Sequence, residues 1–143
     1  MDVEPKQRYT LHKEERLKSR KAIDQLFAQG RSFSSFPLRV IHLDVTASAP
    51  AFSKSNVQAA FSVSKKYFKK AVDRNRIRRL MKEAYRLKKN ELQEQLKKQQ
   101  KHLVVFFIYT GNELPKYQPV FDKMGSALLR LIKIVHENSL ADT

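Results

Sequence analysis

Apolar positions recur along this chain with different periods in different stretches, and the periods locate its elements. A polar opening with Pro5 (residues 1–10) reads as a flexible arm. Ser19 then stands where a helix cap is expected, and Ile23, Leu26 and Phe27 share one helical face up to Gly30, where such a helix stops. Phe36 to Val45 reads as a strand. Leu38 and Val40 fall in one phase and Ile41, Leu43 and Val45 in the other, which needs a bulge or a strand covered on both faces. Small residues and Pro50 make a loop of Thr46 to Ser55, after which Val57, Ala59, Phe61 and Val63 alternate as in a half-buried strand. The pattern is helical from about Ala71 to Gln99. Leu103 to Tyr109 (LVVFFIY) is apolar without alternation, the mark of a strand buried on both faces. Gly111 and Pro115 mark a loop. Pro119 suits the first position of a last helix, in which Val120, Met124, Ala127, Leu128, Leu131 and Val135 recur at helical spacing. Residues 138–143 read as a flexible tail.

The order is helix, strand, strand, long helix, strand, helix, with a further strand allowed for before the long helix. A strand, a long helix and a doubly buried strand form a natural parallel crossover. The expected fold class is α/β: an α+β sandwich, a single domain over 11–137, with helices packed on a mixed sheet and a βαβ crossover carrying the long helix. At 143 residues, 41% of them apolar and 9 of them Phe, the chain can fill one core and is not a disordered polybasic tail.

Charge changes the picture. Lys and Arg number 29 against 14 Asp and Glu, a formal net charge of +15. Such an imbalance opposes compaction by self-repulsion and calls for a polyanionic partner. The apolar faces are all needed for the core, which favours nucleic acid over a membrane surface. No apolar run approaches the ~20 residues that span a bilayer, and the N-terminus lacks the apolar core of a secretory signal. The chain has no Cys, which excludes disulfides, thiolate zinc sites and cysteine nucleophiles and fits a cytoplasmic protein.

The cations concentrate in one segment, Ser62 to Lys89. On a helix, Ile77, Leu80, Met81, Ala84 and Leu87 fall on the side that would face the sheet, and Asn75, Arg78, Arg79, Lys82, Arg86 and Lys89 on the other, flanked by Arg74 and Arg76. An ordinary solvated face mixes signs, but here only Asp73 and Glu83 interrupt the basic residues between Lys65 and Lys89. Cations at this spacing repel one another unless an anion lies over them, and the planar arginine fork pairs with phosphate. Ser64, Lys65 and Lys66, in the strand-to-helix connection, add lysines beside the free amides of a helix start. Phe27, Phe33 and Phe36 gather in the first third and are candidates for stacking on single-stranded bases, whereas Phe61, Phe106 and Phe107 suit the core.

Catalytic constellations are missing. His12, His42, His102 and His136 are scattered without metal-ligand spacing, no carboxylate pair has a helix-spaced apolar setting, and with 3 Gly there is no phosphate-cradling loop.

The stretch FSVSKKYFKKAVDRNRIRRLMKEAYR resembles the signature of the ribonuclease P protein subunit family. Ser64-Lys65-Lys66, Ala71-Val72, Arg74-Asn75-Arg76, Arg78-Arg79 and Lys82-Glu83 match its spaced elements, and Lys82 stands where arginine is frequent. RLKSRKAIDQLFAQGRSF (Arg16 to Phe33) is similar to the family's first helix, with Ile23 where an earlier aromatic often stands. The resemblance covers about Leu11 to Val135. It implies an accessory subunit of an endoribonuclease whose RNA supplies the active site and binds Mg²⁺, so that this chain carries no catalytic side chains and no metal site of its own. It implies binding of the ribonuclease P RNA and of precursor tRNA, whose 5′ leader the complex removes. Ser64, Lys65, Lys66, Arg74, Asn75, Arg76, Arg78, Arg79, Lys82 and Arg86 would contact the catalytic RNA or phosphates; Ile23, Phe27, Phe33 and Phe36 would line the leader cleft. It also implies a left-handed crossover, against the usual right-handed rule. The alternatives are a ribosomal-type or general RNA-chaperone protein, which composition alone does not separate from this reading, and a protein-only nuclease, for which the sequence shows no carboxylate cluster.

Overall fold

The apolar run Leu103–Tyr109 becomes the strand around which the molecule is built. In the computed structural model, which describes residues 13–48 and 55–141, the elements are α1 (Arg20–Gln29), β1 (Arg31–Ser35), β2 (Leu38–Asp44), β3 (Val57–Val63), α2 (Ala71–Lys88), α3 (Asn90–Lys98), β4 (Leu103–Tyr109) and α4 (Tyr117–Ala141). The arm expected over 1–10 and the centre of the Thr46–Ser55 loop lie outside the described residues. The strand order is β1-β2-β4-β3: β2 runs antiparallel to β1 and β4, while β3 and β4 pair in parallel through the α2–α3 crossover.

Strand alternation divides the side chains between two layers. Phe33, Leu38, Val40, Val57, Ala59, Val63, Val105 and Phe107 face α2, α3 and α4 in the main core. Ile41 and Val104 face the other way, towards Leu17 and Leu26, with Leu43, Phe106 and Ile108 half-buried beside them. The two phases within β2 therefore mean a strand covered on both faces. Its register against β4 is unbroken from Leu38↔Tyr109 to Asp44↔Leu103, so no bulge is needed.

The helix ends follow local chemistry. The Ser19 hydroxyl caps α1 by accepting from the Ala22 amide at 3.2 Å, and the Gly30 N–H closes the helix on the Leu26 carbonyl at 2.8 Å. A Cβ at residue 30 would stand 2.3 Å from that carbonyl oxygen, so the turn into β1 admits only glycine without a shift of backbone. Pro119 lies in the first turn of α4 but is not its first residue, since the helix begins at Tyr117. A missing amide hydrogen is harmless there too, because first-turn amides have no intrahelical partner. The same helix continues through Ala141, into the stretch read as a tail.

The further strand allowed for is present, and the extent of the long helix is corrected. The strand before Phe36 is real: Arg31–Ser35 forms a hairpin with β2, although Phe33 is its one apolar residue. The long helix divides at Lys89, where the side chain turns inward, and α3 packs Leu92 and Leu96 into the core against α4.

Candidate nucleic-acid interface

The first part of α2, as far as Lys82, presents its cations to solvent. Lys65, Lys66, Lys69 and Lys70 are exposed in the turn that precedes it, and Arg76, Arg79 and Lys82 are exposed along it. None of these makes an ion pair among the described residues. No side chain caps the helix at Lys70, so first-turn amides remain open to an anion. The Ser64 hydroxyl accepts from the Lys66 amide at 3.2 Å and shapes the turn. Asn75 accepts from Arg78 at 2.7 Å, holding that guanidinium against the helix.

Arg74 also makes contacts within the fold. Its Nη1 donates to the Phe68 and Lys69 carbonyls, both at 2.8 Å, and its Nε is buried without a partner. The side chain folds back over the turn that carries Lys69 and Lys70 and bonds to its backbone.

The second part of α2 satisfies its own charge. Arg86 donates to both oxygens of Glu83, at 3.1 and 2.5 Å, and that bond holds the Glu83 carboxyl below its ordinary value. Lys88 lies 3.8 Å from the centroid of the Phe121 ring. Lys89, which helical periodicity places in the basic stripe, is 1% exposed and sits 2.7 Å from each oxygen of Glu15. Gln93 donates to the same carboxylate. Glu15 arrives from the N-terminal segment, which lies along β3: the Leu17 backbone amide donates to the Ala59 carbonyl at 2.9 Å and Gln58 Nε2 donates to the Glu14 carbonyl at 3.1 Å.

Beside α2 the second face of the sheet is only partly covered. Helix α1 buries Leu26 over β2 and β4, and its next residue, Phe27, is 52% exposed. The Phe27 ring meets Phe106 edge-on, with centroids 5.1 Å apart. Phe106, Ile108, Ala60 and Ile23 are half-buried around it, so the floor of this face stays accessible. At its β3 side a hollow of ≈ 250 Å³ is bordered by Arg16, Lys18 and Lys82 around Ala60 and Phe61. An aromatic floor with cations at its rim suits single-stranded nucleic acid, whose bases stack and whose phosphates pair.

The four residues expected to line a leader cleft do not all meet here. Ile23 and Phe27 lie on this face. Phe33 does not: in β1 it alternates to the opposite face, where it is 8% exposed beneath the Arg130 guanidinium. Phe36 is exposed in the β1–β2 turn. Phe106 is the residue that sequence reasoning missed, since the unbroken apolar run in β4 assigns it to the core. Phe61 stacks on Phe107 at 5.5 Å, the core role expected of both. Among the described residues no group of His, Asp and Glu could hold a metal ion.

Comparison with known proteins sets this geometry in a family. Residues 11–132 match the family model described as Ribonuclease P. The chain is 36% identical over 132 residues to the ribonuclease P protein component of Porphyromonas gingivalis, covering 92% of this chain and 93% of that one. It is 32% identical to the same component of Chlorobium phaeobacteroides, over 92% and 91% of the two chains. The Staphylococcus aureus RNase P protein structure superposes with a TM-score of 0.63 at 17% identity, covering 85% of this chain and 97% of that one, which shows a shared fold. With a family match running from the N-terminal segment into α4 and relatives above the 30% level along nearly their whole length, the chain belongs to the ribonuclease P protein family.

Proposed function

We propose that this chain binds the RNA subunit of ribonuclease P through the exposed cations of the Ser64–Lys70 turn and the first part of α2, and holds the 5′ leader of precursor tRNA on the half-open sheet face beside α1. One observation carries the reading: Arg16, Lys18 and Lys82 border a hollow beside Ala60, on the sheet face where the Phe27 and Phe106 rings are accessible. Lys82 continues the exposed cations of Lys65, Lys66, Arg76 and Arg79, none of which is in an ion pair among the described residues. Phosphates would lie over the helix, and unstacked bases would reach the rings.

The division of labour follows from what the chain can supply. Mg²⁺ belongs to the RNA and the substrate in this reading. The protein's own part is neutralisation of phosphate charge and extension of the leader. Both raise substrate affinity without placing a side chain on the reacting atoms. No helix among the described residues is long and apolar enough to cross a membrane, and the proposed site of action is the cytoplasm.

The test is cleavage of a precursor tRNA at low Mg²⁺ by a cognate ribonuclease P RNA alone, by the chain alone, and by both. The expected result is activity only in the mixture, or far more strongly there, with Phe27→Ala weakening leader binding by about 1–3 kcal/mol. No enhancement by folded protein would favour a ribosomal or chaperone role. Cleavage by RNA-free protein would restore the protein-only nuclease.

A further inference from the structure

The far end of the sheet carries a second gathering of cations that the α2 interface does not use. The Ser64–Lys66 turn leaves the sheet where Leu38, Val63 and Tyr109 align; the opposite end is where Arg31 opens β1, Asp44 closes β2 and Leu103 opens β4. There a hollow of ≈ 170 Å³ has Arg31, Lys101, His42 and His102 in its walls and Leu96 and Val135 among its apolar lining. Arg130 approaches from α4, its guanidinium 4.5 Å from the centroid of Phe33, whose ring lies 5.8 Å from that of His42. Arg31, Lys101 and Arg130 come from β1, the residues before β4, and α4, and none is in an ion pair among the described residues.

The acid nearby does not cancel them. Asp44 is the carboxylate in the wall, and its Oδ1 is engaged by the Thr46 amide at 2.9 Å and by the Thr46 hydroxyl. His102 Nδ1 lies 3.2 Å from the Ser55 carbonyl, so that nitrogen donates and Nε2 is the ring's other position. His42 is 8% exposed, and burial followed by the charges of Arg31 and Arg130 lowers its pKa. Cations from three segments, Arg31 and Lys101 in the wall and Arg130 over the Phe33 ring, form a receptor for an oxyanion.

We propose that this hollow binds a phosphodiester of RNA, giving the chain a second phosphate contact at the end of the sheet away from the Ser64–Lys66 turn. The proposal rests on the reading of the chain as an RNA binder.

The experiment compares the full chain with two double variants, Arg31→Gln with Lys101→Gln and Arg76→Gln with Arg79→Gln. Affinity for the cognate RNA is measured against salt, and the His42 ring resonances are followed by NMR during titration with inorganic phosphate. Each lost phosphate contact should lower the log–log salt slope by roughly 0.7–0.9. The first double variant should therefore show a shallower slope, and phosphate should raise the His42 pKa in the unaltered chain but not in that variant. An unchanged slope in the first variant, with a reduced slope in the second, overturns the second contact and leaves the RNA reading standing. A phosphate response with no change of slope makes the hollow a site for free phosphate and overturns its assignment to RNA. Salt-independent RNA binding by the unaltered chain overturns the RNA reading itself, and this proposal with it.

Discussion

The two parts of α2, before and after Glu83, carry similar side chains and put them to opposite uses. In the first part, as far as Lys82, Arg76, Arg79 and Lys82 are exposed without ion pairs among the described residues. In the second, Arg86 is bound to Glu83 and Lys88 lies on Phe121, and just past its end Lys89 is buried against Glu15. Composition treats these cations as one population; their partners divide them. A cation already satisfied within the fold gains little from a phosphate, whereas an unpaired one gains counterion release on binding. Under the proposed function the polyanion would therefore lie over the first part of the helix and the turn before it, while the cations at its end are held within the fold, Lys89 by the N-terminal segment.

Breaking the internal half should cost the most. Lys89→Met would leave the Glu15 carboxylate buried beside an apolar side chain, a loss of about 3–5 kcal/mol of folding stability. Urea denaturation would measure it, and the RNA-binding salt slope of the folded fraction should not move. A loss below ~1 kcal/mol would show that Glu15 is satisfied without Lys89, and the attachment role would fall. Arg74→Ala comes next. It removes two hydrogen bonds to the Phe68 and Lys69 carbonyls and should cost about 1–3 kcal/mol through the loosened turn. Arg76→Ala should do no such thing, and equal losses from the two would erase the distinction between an arginine bonded to the turn and a contacting one.

Sharpening the exposed half needs a binding measurement. Arg76→Ala with Arg79→Ala should leave stability within about 0.5 kcal/mol, because neither side chain holds the fold together. The salt slope for RNA binding should fall by roughly 1.4–1.8, two phosphate contacts' worth. An unchanged slope would mean that this face is merely solvated.

How much of this was legible in the sequence depends on the range of the interaction. The strict alternation Val57–Val63 and the unbroken run Leu103–Tyr109 carry the parallel pair, and Ser19 and Gly30 bound α1, because each signal is local. The basic stripe was visible for the same reason. Its division was not. Lys89 is helix-spaced like its neighbours, and its partner Glu15 lies 74 residues away. Phe33 was misplaced because the strand that carries it has no other apolar residue to declare a phase, so the hairpin that turns it towards Arg130 left no periodic trace. Phe106 was hidden by the opposite problem: a run apolar at every position does not reveal that α1 leaves part of one face open.

The smallest effect discriminates most finely. Arg86→Ala should leave the RNA salt slope unchanged, while its consequence appears at Glu83. The Arg86 hydrogen bond depresses the Glu83 pKa from 4.5, so the pair's contribution to folding is present above that value and is lost as pH falls through the lower, folded one. Both groups are close to solvent, and the contribution is correspondingly slight. NMR titration of the Glu83 carboxyl should therefore show its midpoint return towards 4.5 in the variant, with the unaltered chain titrating lower. A slope that fell as it does for Arg76 and Arg79 would put Arg86 on the RNA despite its carboxylate. The boundary between the two parts of α2 would then move towards Lys88, and the Glu83 pair would be a feature of the free protein that RNA displaces.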